Sequence, residues 1–237
     1  MSTFVLIHGG WHGGWCWYKV VSCLEKQGHT VIAPDLPSHG RDRTPPLSVS
    51  FQTYVDCVCH ILDAQPEPVI LAGHSMGGAV ITQVAEHRPD KIHLLVYVSA
   101  FLLSDGQSLL SVAEEDTTGA VLPNLVFDES RSIATMNEEN LKEVFYADCP
   151  DEDIALAKML LVPQVLAPLS VPVQTTPQRF GRVLRAYVEC LQDNALSPAT
   201  QKRMYSALPC RKVGAMNTSH SPFFSAPDVL ATHLASV

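Results

Sequence analysis

Leu71-Ala72-Gly73-His74-Ser75-Met76-Gly77-Gly78 decides how this chain folds. Gly73, Ser75 and Gly77 make a G-x-S-x-G pattern, a nucleophile elbow wherever a strand runs in and a helix runs out. Val69-Ile70-Leu71-Ala72 is the apolar run of a strand buried on both faces. Val80, Ile81, Val84 and Ala85 then recur at helical spacing. The chain must turn at Ser75 within about two residues, which strains that residue and presents its hydroxyl. Gly73 and Gly77 have no Cβ, so strand and helix can approach closely there. A glycine-rich turn with an incidental serine is the plainer alternative, and the flanking strand and helix weigh against it.

A second strand, Thr3-Phe4-Val5-Leu6-Ile7-His8, runs into Gly9-Gly10-Trp11. A strand followed by His-Gly forms a loop that aims a backbone N–H at a developing oxyanion. Gly10 is the expected first donor. Met76, directly after the serine and at a helix N-terminus, is the expected second. His8 reads as a buried histidine that braces the loop.

The remaining catalytic partners should follow in the order acid, histidine. Arg185 to Leu191 reads as a late strand ending in Gln192-Asp193-Asn194, and Ser197-Pro198 opens a helix to Leu208 as N-cap and N1. An aspartate at the carboxyl end of a strand is where a doubly wound sheet places its acid. Arg211 to Met216 reads as the last strand, with His220 in the loop before a closing helix marked by Pro227 and Asp228. Asp193 and His220 are therefore the expected acid and base. Glu189 lies mid-strand and faces away from the catalytic edge. The other histidines, His12, His29, His39, His60, His87, His93 and His233 among them, fall outside the last loop and read as surface or packing residues.

With these residues in view, the chain resembles the α/β-hydrolase superfamily, and more closely the branch of plant methylesterases, hydroxynitrile lyases and small bacterial carboxylesterases. The likeness is carried by His8-Gly9-Gly10-Trp11-His12-Gly13-Gly14-Trp15-Cys16-Trp17-Tyr18, Gly28-His29, Gly73–Gly78, Ala155–Leu160 and the region from Tyr187 to His220. Its tail, Tyr187–Asp193 with Ser219–Phe224, is similar to bacterial hydrolases of aryl and pyrethroid esters. The resemblance implies an α/β fold with a doubly wound, mostly parallel sheet and an inserted helical cap. It also implies a homodimer. Haloalkane dehalogenases and epoxide hydrolases carry an aspartate at the nucleophile position, where this chain has Ser75.

Composition agrees with one such domain over 1–237. The 237 residues are 46% hydrophobic, enough for a substantial core. A formal net charge of −8 leaves no basic footprint, so nucleic acid is not expected as a partner. Seven cysteines show no repeated metal spacing, and no cofactor or metal is expected. No leader-like segment precedes the first strand, apolar runs are too short for a membrane span, and reduced cysteines point to the cytoplasm.

Along the chain, a helix Trp15–Gln27, a strand Thr30–Ala33, a helix Phe51–Ala64 and a strand within Lys91–Ser99 continue the βα alternation. It breaks between Phe101 and Arg182, where acidic runs and Pro163, Pro168, Pro172 and Pro177 accumulate. This stretch, 101–182, is the expected cap. Trp11, His74, Phe127, Phe145, Tyr146 and Ser221 are expected around the substrate pocket, with Met159, Leu160 and Leu161 as further cap candidates. The function that fits is hydrolysis of small, largely apolar or aryl esters through an acyl-enzyme. The alternatives are cyanohydrin C–C cleavage, a cofactor-free perhydrolase, and a small-molecule receptor on the same fold.

Overall fold

The computed structural model describes residues 1–236. In chain order, β1 (Thr3–Ile7), α1 (Tyr18–Lys26), β2 (Thr30–Ile32), α2 (Phe51–Asp63), β3 (Val69–Ser75), α3 (Gly77–His87) and β4 (Ile92–Ala100) alternate as expected. A 3-10 turn over Gly14–Trp17 takes the place of the first turn expected for α1. The strands β1 to β4 join two later ones, β8 (Arg185–Cys190) and β9 (Lys212–Met216), in a six-stranded sheet of order β2-β1-β3-β4-β8-β9, with every pairing parallel.

Period-two alternation sorts the side chains of this sheet onto two faces. Val5, Ile7, Leu71, Leu95 and Tyr97 pack with α2 and α3 on one face. Phe4, Leu6, Ile70, Leu94 and Val96 pack with α1 and the C-terminal helix on the other. Both faces are covered, which is why the strand sequences are continuous apolar runs.

Between β4 and β8 the chain forms α4 (Leu109–Glu115), β5 (Leu125–Phe127), β6 (Ile133–Met136), α5 (Leu141–Phe145), α6 (Asp151–Leu160) and β7 (Gln164–Val165). The stretch expected as a helical cap holds these helices and, in addition, a small sheet. β5, β6 and β7 form a separate three-stranded antiparallel sheet beside the short helices. Strands of two to four residues carry no alternation long enough to read.

The chain returns to the main sheet through β8 (Arg185–Cys190), α7 (Pro198–Ala207) and β9 (Lys212–Met216), then closes with α8 (Pro222–Ser225) and α9 (Pro227–Ala235). Ser197 caps α7, its Oγ accepting the Thr200 N–H at 3.2 Å. The parallel order places the carboxyl ends of β1, β3 and β8 along one edge, so the loops after them converge.

Candidate active site

Ser75 sits at the end of β3 with φ 51°, in the left-handed region, and α3 starts two residues later. The glycines around it explain how so sharp a turn fits. A Cβ on Gly73 would lie 2.6 Å from the Gly77 carbonyl oxygen, and one on Gly77 would lie 2.7 Å from the Ile7 oxygen. Neither neighbour is a flexible side chain, so both positions are closed to any larger residue.

Asp193 follows β8 and is 4% exposed; His220 lies in the loop after β9 and is 2% exposed. His220 Nδ1 donates to Asp193 Oδ2 at 2.7 Å. The aspartate is held from all sides. Its Oδ1 accepts the N–H groups of Ala195 (2.7 Å) and Leu196 (2.9 Å). Its Oδ2 also accepts from Gln201 Nε2 at 3.2 Å and from the Ser99 hydroxyl. Glu189 faces away, half-buried, and accepts the Tyr205 hydroxyl at 3.0 Å.

Ser75 and His220 open together on a cavity of about 370 Å³, whose wall includes Gly10 and Met76. Of the expected pocket residues, Trp11, Phe127 and Phe145 line it. Three do not. His74 is fully buried, with Nε2 donating to the His220 carbonyl at 2.8 Å and its ring packed on Phe223. Tyr146 is fully buried and donates its hydroxyl to His12 Nε2 at 2.7 Å. Ser221 is fully buried with an unpartnered Oγ. The cap candidates Met159 and Leu160 face solvent, at 82% and 37% exposure, and Leu161 lines a different cavity.

The insertion supplies most of the remaining wall, including Leu109, Leu122, Leu125, Arg131 and Gln164. Arg131 stacks on Phe127, its guanidinium 4.2 Å from the ring centre. Gln164 Oε1 accepts the Trp11 N–H at 3.3 Å and lies 3.0 Å from His39 Nε2. Asp148, between α5 and α6, grips the loop that carries the histidine. It accepts the Ser219 N–H at 3.0 Å and the Ser219 hydroxyl. The contacts of Gln164 and Asp148 have no signal in the sequence, because each joins residues at least 71 positions apart.

His8 braces the loop as expected. Its Nδ1 donates to the Gly9 carbonyl at 2.8 Å, and its Nε2 accepts the Leu36 N–H at 3.0 Å. His12 does the same for the next turn, donating from Nδ1 to the Gly10 carbonyl at 2.8 Å while accepting from Tyr146. Burial pushes the His12 pKa down to about 4 from an ordinary 6.5. Burial also holds His8 and His74 well below that ordinary value. An unfolded chain therefore takes up protons at these sites between about pH 6.5 and pH 4, while the folded chain does not. Their stabilising contribution is complete above that window and is lost as pH falls through it. His12 alone accounts for about 3 kcal/mol across the window. Urea unfolding at pH 7 and pH 5 is expected to show a clearly lower midpoint at pH 5; equal midpoints would contradict the neutral buried histidines.

These features are those of a known family. The model of the alpha/beta hydrolase family matches residues 4–233, and the chain belongs to that family. Methylesterase 2 of Arabidopsis thaliana is 33% identical over 99% of this chain and 95% of its own length. Two longer methylesterases of the same plant, named as chloroplastic, match 97% of this chain, which spans 70% and 62% of theirs. Among solved structures, a pyrethroid hydrolase from Sphingobium faniae JZ-2 superposes with a TM-score of 0.91 at 31% identity, covering 99% of this chain and 96% of that one. Polyneuridine aldehyde esterase superposes with a TM-score of 0.89 at 28% identity, covering 100% and 98%.

Proposed function

We propose that this protein is a serine carboxylesterase for small, largely apolar or aryl esters, a single domain whose segment 101–182 caps the site. The observation that carries the reading is His220, bonded to the buried Asp193 at 2.7 Å and lining one mainly apolar cavity together with Ser75. The esterase and hydrolase names of its relatives support the same class of reaction. The seven cysteines are unpaired, in keeping with a reducing cytoplasmic setting. Among the described residues no helix is long and apolar enough to cross a membrane.

In the proposed reaction His220 Nε2 takes the Ser75 hydroxyl proton as Oγ attacks the ester carbonyl. The N–H groups of Gly10 and Met76 hold the oxyanion, each contributing about 3 kcal/mol to the transition state. The C–O bond of the leaving alcohol breaks, and His220 returns the proton to it. A water then loses its proton to His220 and attacks the acyl carbon; the C–Oγ bond breaks, His220 returns the proton to Ser75 Oγ, and the carboxylic acid leaves. Asp193 fixes the imidazole tautomer and stabilises the imidazolium.

Cyanohydrin cleavage is the second reading, since Arg131 brings a positive charge to the cavity wall. Two observations oppose it. The resembling lyases carry a threonine after the first-strand histidine and a lysine after the catalytic histidine. Here a Cβ on Gly9 would lie 2.9 Å from the Ser75 Cβ and 3.0 Å from His74 Nδ1, so a threonine does not fit. Ser221 is neutral and buried, and cannot stabilise a departing cyanide. The expected result is p-nitrophenyl acetate hydrolysis that Ser75→Ala removes, together with negligible cyanide release from mandelonitrile. Cyanide release by the wild type, lost in Ser75→Ala, would favour the lyase. Small-molecule binding without any turnover would favour a receptor.

A further inference from the structure

Trp11 lines the cavity that holds Ser75 and His220, and it also lines a second cavity of about 310 Å³. It is the one residue among those described that faces both. On its far side lie Met136, Leu141, Leu161 and Pro163, with the exposed Lys158–Glu138 ion pair, 3.4 Å apart, beside them. Those four residues give the chamber an apolar side, and the two charges on its wall offset each other, so that side suits an uncharged ring or alkyl chain.

The indole is fixed in place. Trp11 has φ 63°, a strained conformation for a bulky residue, and is only 8% exposed. Three hydrogen bonds to the insertion hold it there. Its N–H reaches Gln164 Oε1 at 3.3 Å, its indole N–H reaches the Ala134 carbonyl at 2.9 Å, and its carbonyl accepts the Val162 N–H at 2.9 Å. Phe145 packs against the ring, with centroids 5.8 Å apart. A side chain so constrained cannot swing aside for a longer substrate at low cost.

We propose that Trp11 is the size-limiting wall of the substrate site, and that the chamber behind it is a latent subsite for an apolar arm of an ester. This rests on the esterase reading above. Wild type would then favour esters that end against the indole, and removal of the ring would let one arm of the ester, acyl or alkyl, extend into the second chamber.

The test compares kcat/KM for p-nitrophenyl acetate, p-nitrophenyl decanoate and 4-biphenylmethyl acetate in wild type, Trp11→Ala and Trp11→Gly, the glycine matching the positive φ. Each long ester is scored as its ratio to acetate. At least one ratio is expected to rise about tenfold or more in either variant. Adding Leu161→Trp, which refills the chamber, is expected to bring the ratio back. Ratios within about twofold of wild type for both long esters would overturn the proposal.

Trp11 adjoins the Gly10 loop, so a variant could lose turnover for reasons unrelated to size. Binding of p-nitrophenyl decanoate by calorimetry in the Ser75→Ala background covers that case. Adding Trp11→Ala there is expected to tighten Kd about tenfold, and an unchanged Kd overturns the proposal. Hydrolysis that survives Ser75→Ala would instead overturn the esterase mechanism and leave the binding result to stand on its own.

Discussion

Ser75→Ala is expected to lower kcat for p-nitrophenyl acetate by about 10⁶-fold, and His220→Ala by a similar factor. In the proposed mechanism the two residues pass one proton between them, so removing either eliminates the same step, and the double variant should be little worse than each single one. The fold should survive both changes. Ser75→Ala removes one oxygen at a position whose backbone turn is dictated by Gly73 and Gly77 rather than by the hydroxyl. His220→Ala deletes one of five donors to the Asp193 carboxylate and opens a small void, at a cost of about 1–3 kcal/mol. Circular dichroism and a thermal melt on the purified variants separate lost chemistry from lost structure. Near-wild-type turnover in either folded variant would remove the proposed mechanism.

The sheet was legible because its strands are long and their physics is local. Nine residues of β4 and seven of β3 carry enough apolar sequence to announce a doubly covered sheet. The elbow was legible because only glycines permit its backbone contacts. The pocket was only half legible, and the misses have simple causes. His74 adjoins Ser75, but both belong to a strand, where successive side chains take opposite faces, and its ring packs toward Trp17 and Phe223 instead of the cavity. Phe145 ends α5 facing the cavity, while Tyr146, one residue on, turns inward to His12. Ser221 follows His220 into the start of α8, and its side chain is buried there. Residues such as Gln164 and Arg131 reach the site from short strands and turns whose placement depends on tertiary contacts, so no pattern in the sequence points to them.

Asp193→Asn is expected to lower kcat by about 10⁴-fold while Glu189→Gln stays near wild type. The reason lies in the donors around the carboxylate. Oδ1 faces the N–H groups of Ala195 and Leu196, so an amide NH₂ cannot sit there without opposing two fixed donors. The NH₂ must take the Oδ2 position, where it meets the Ser99 hydroxyl, Gln201 Nε2 and His220 Nδ1. The Ser99 hydroxyl can rotate to accept a proton, and the imidazole can accept one only by moving its own proton from Nδ1 to Nε2. In the proposed mechanism that tautomer puts an N–H where the lone pair toward Ser75 is needed, so the serine keeps its proton. Glu189 has no part in this set; its carboxylate accepts from Tyr205 on α7. The same panel of purified variants measures both effects, and a greater loss of kcat in Glu189→Gln than in Asp193→Asn would transfer the acid's role to Glu189.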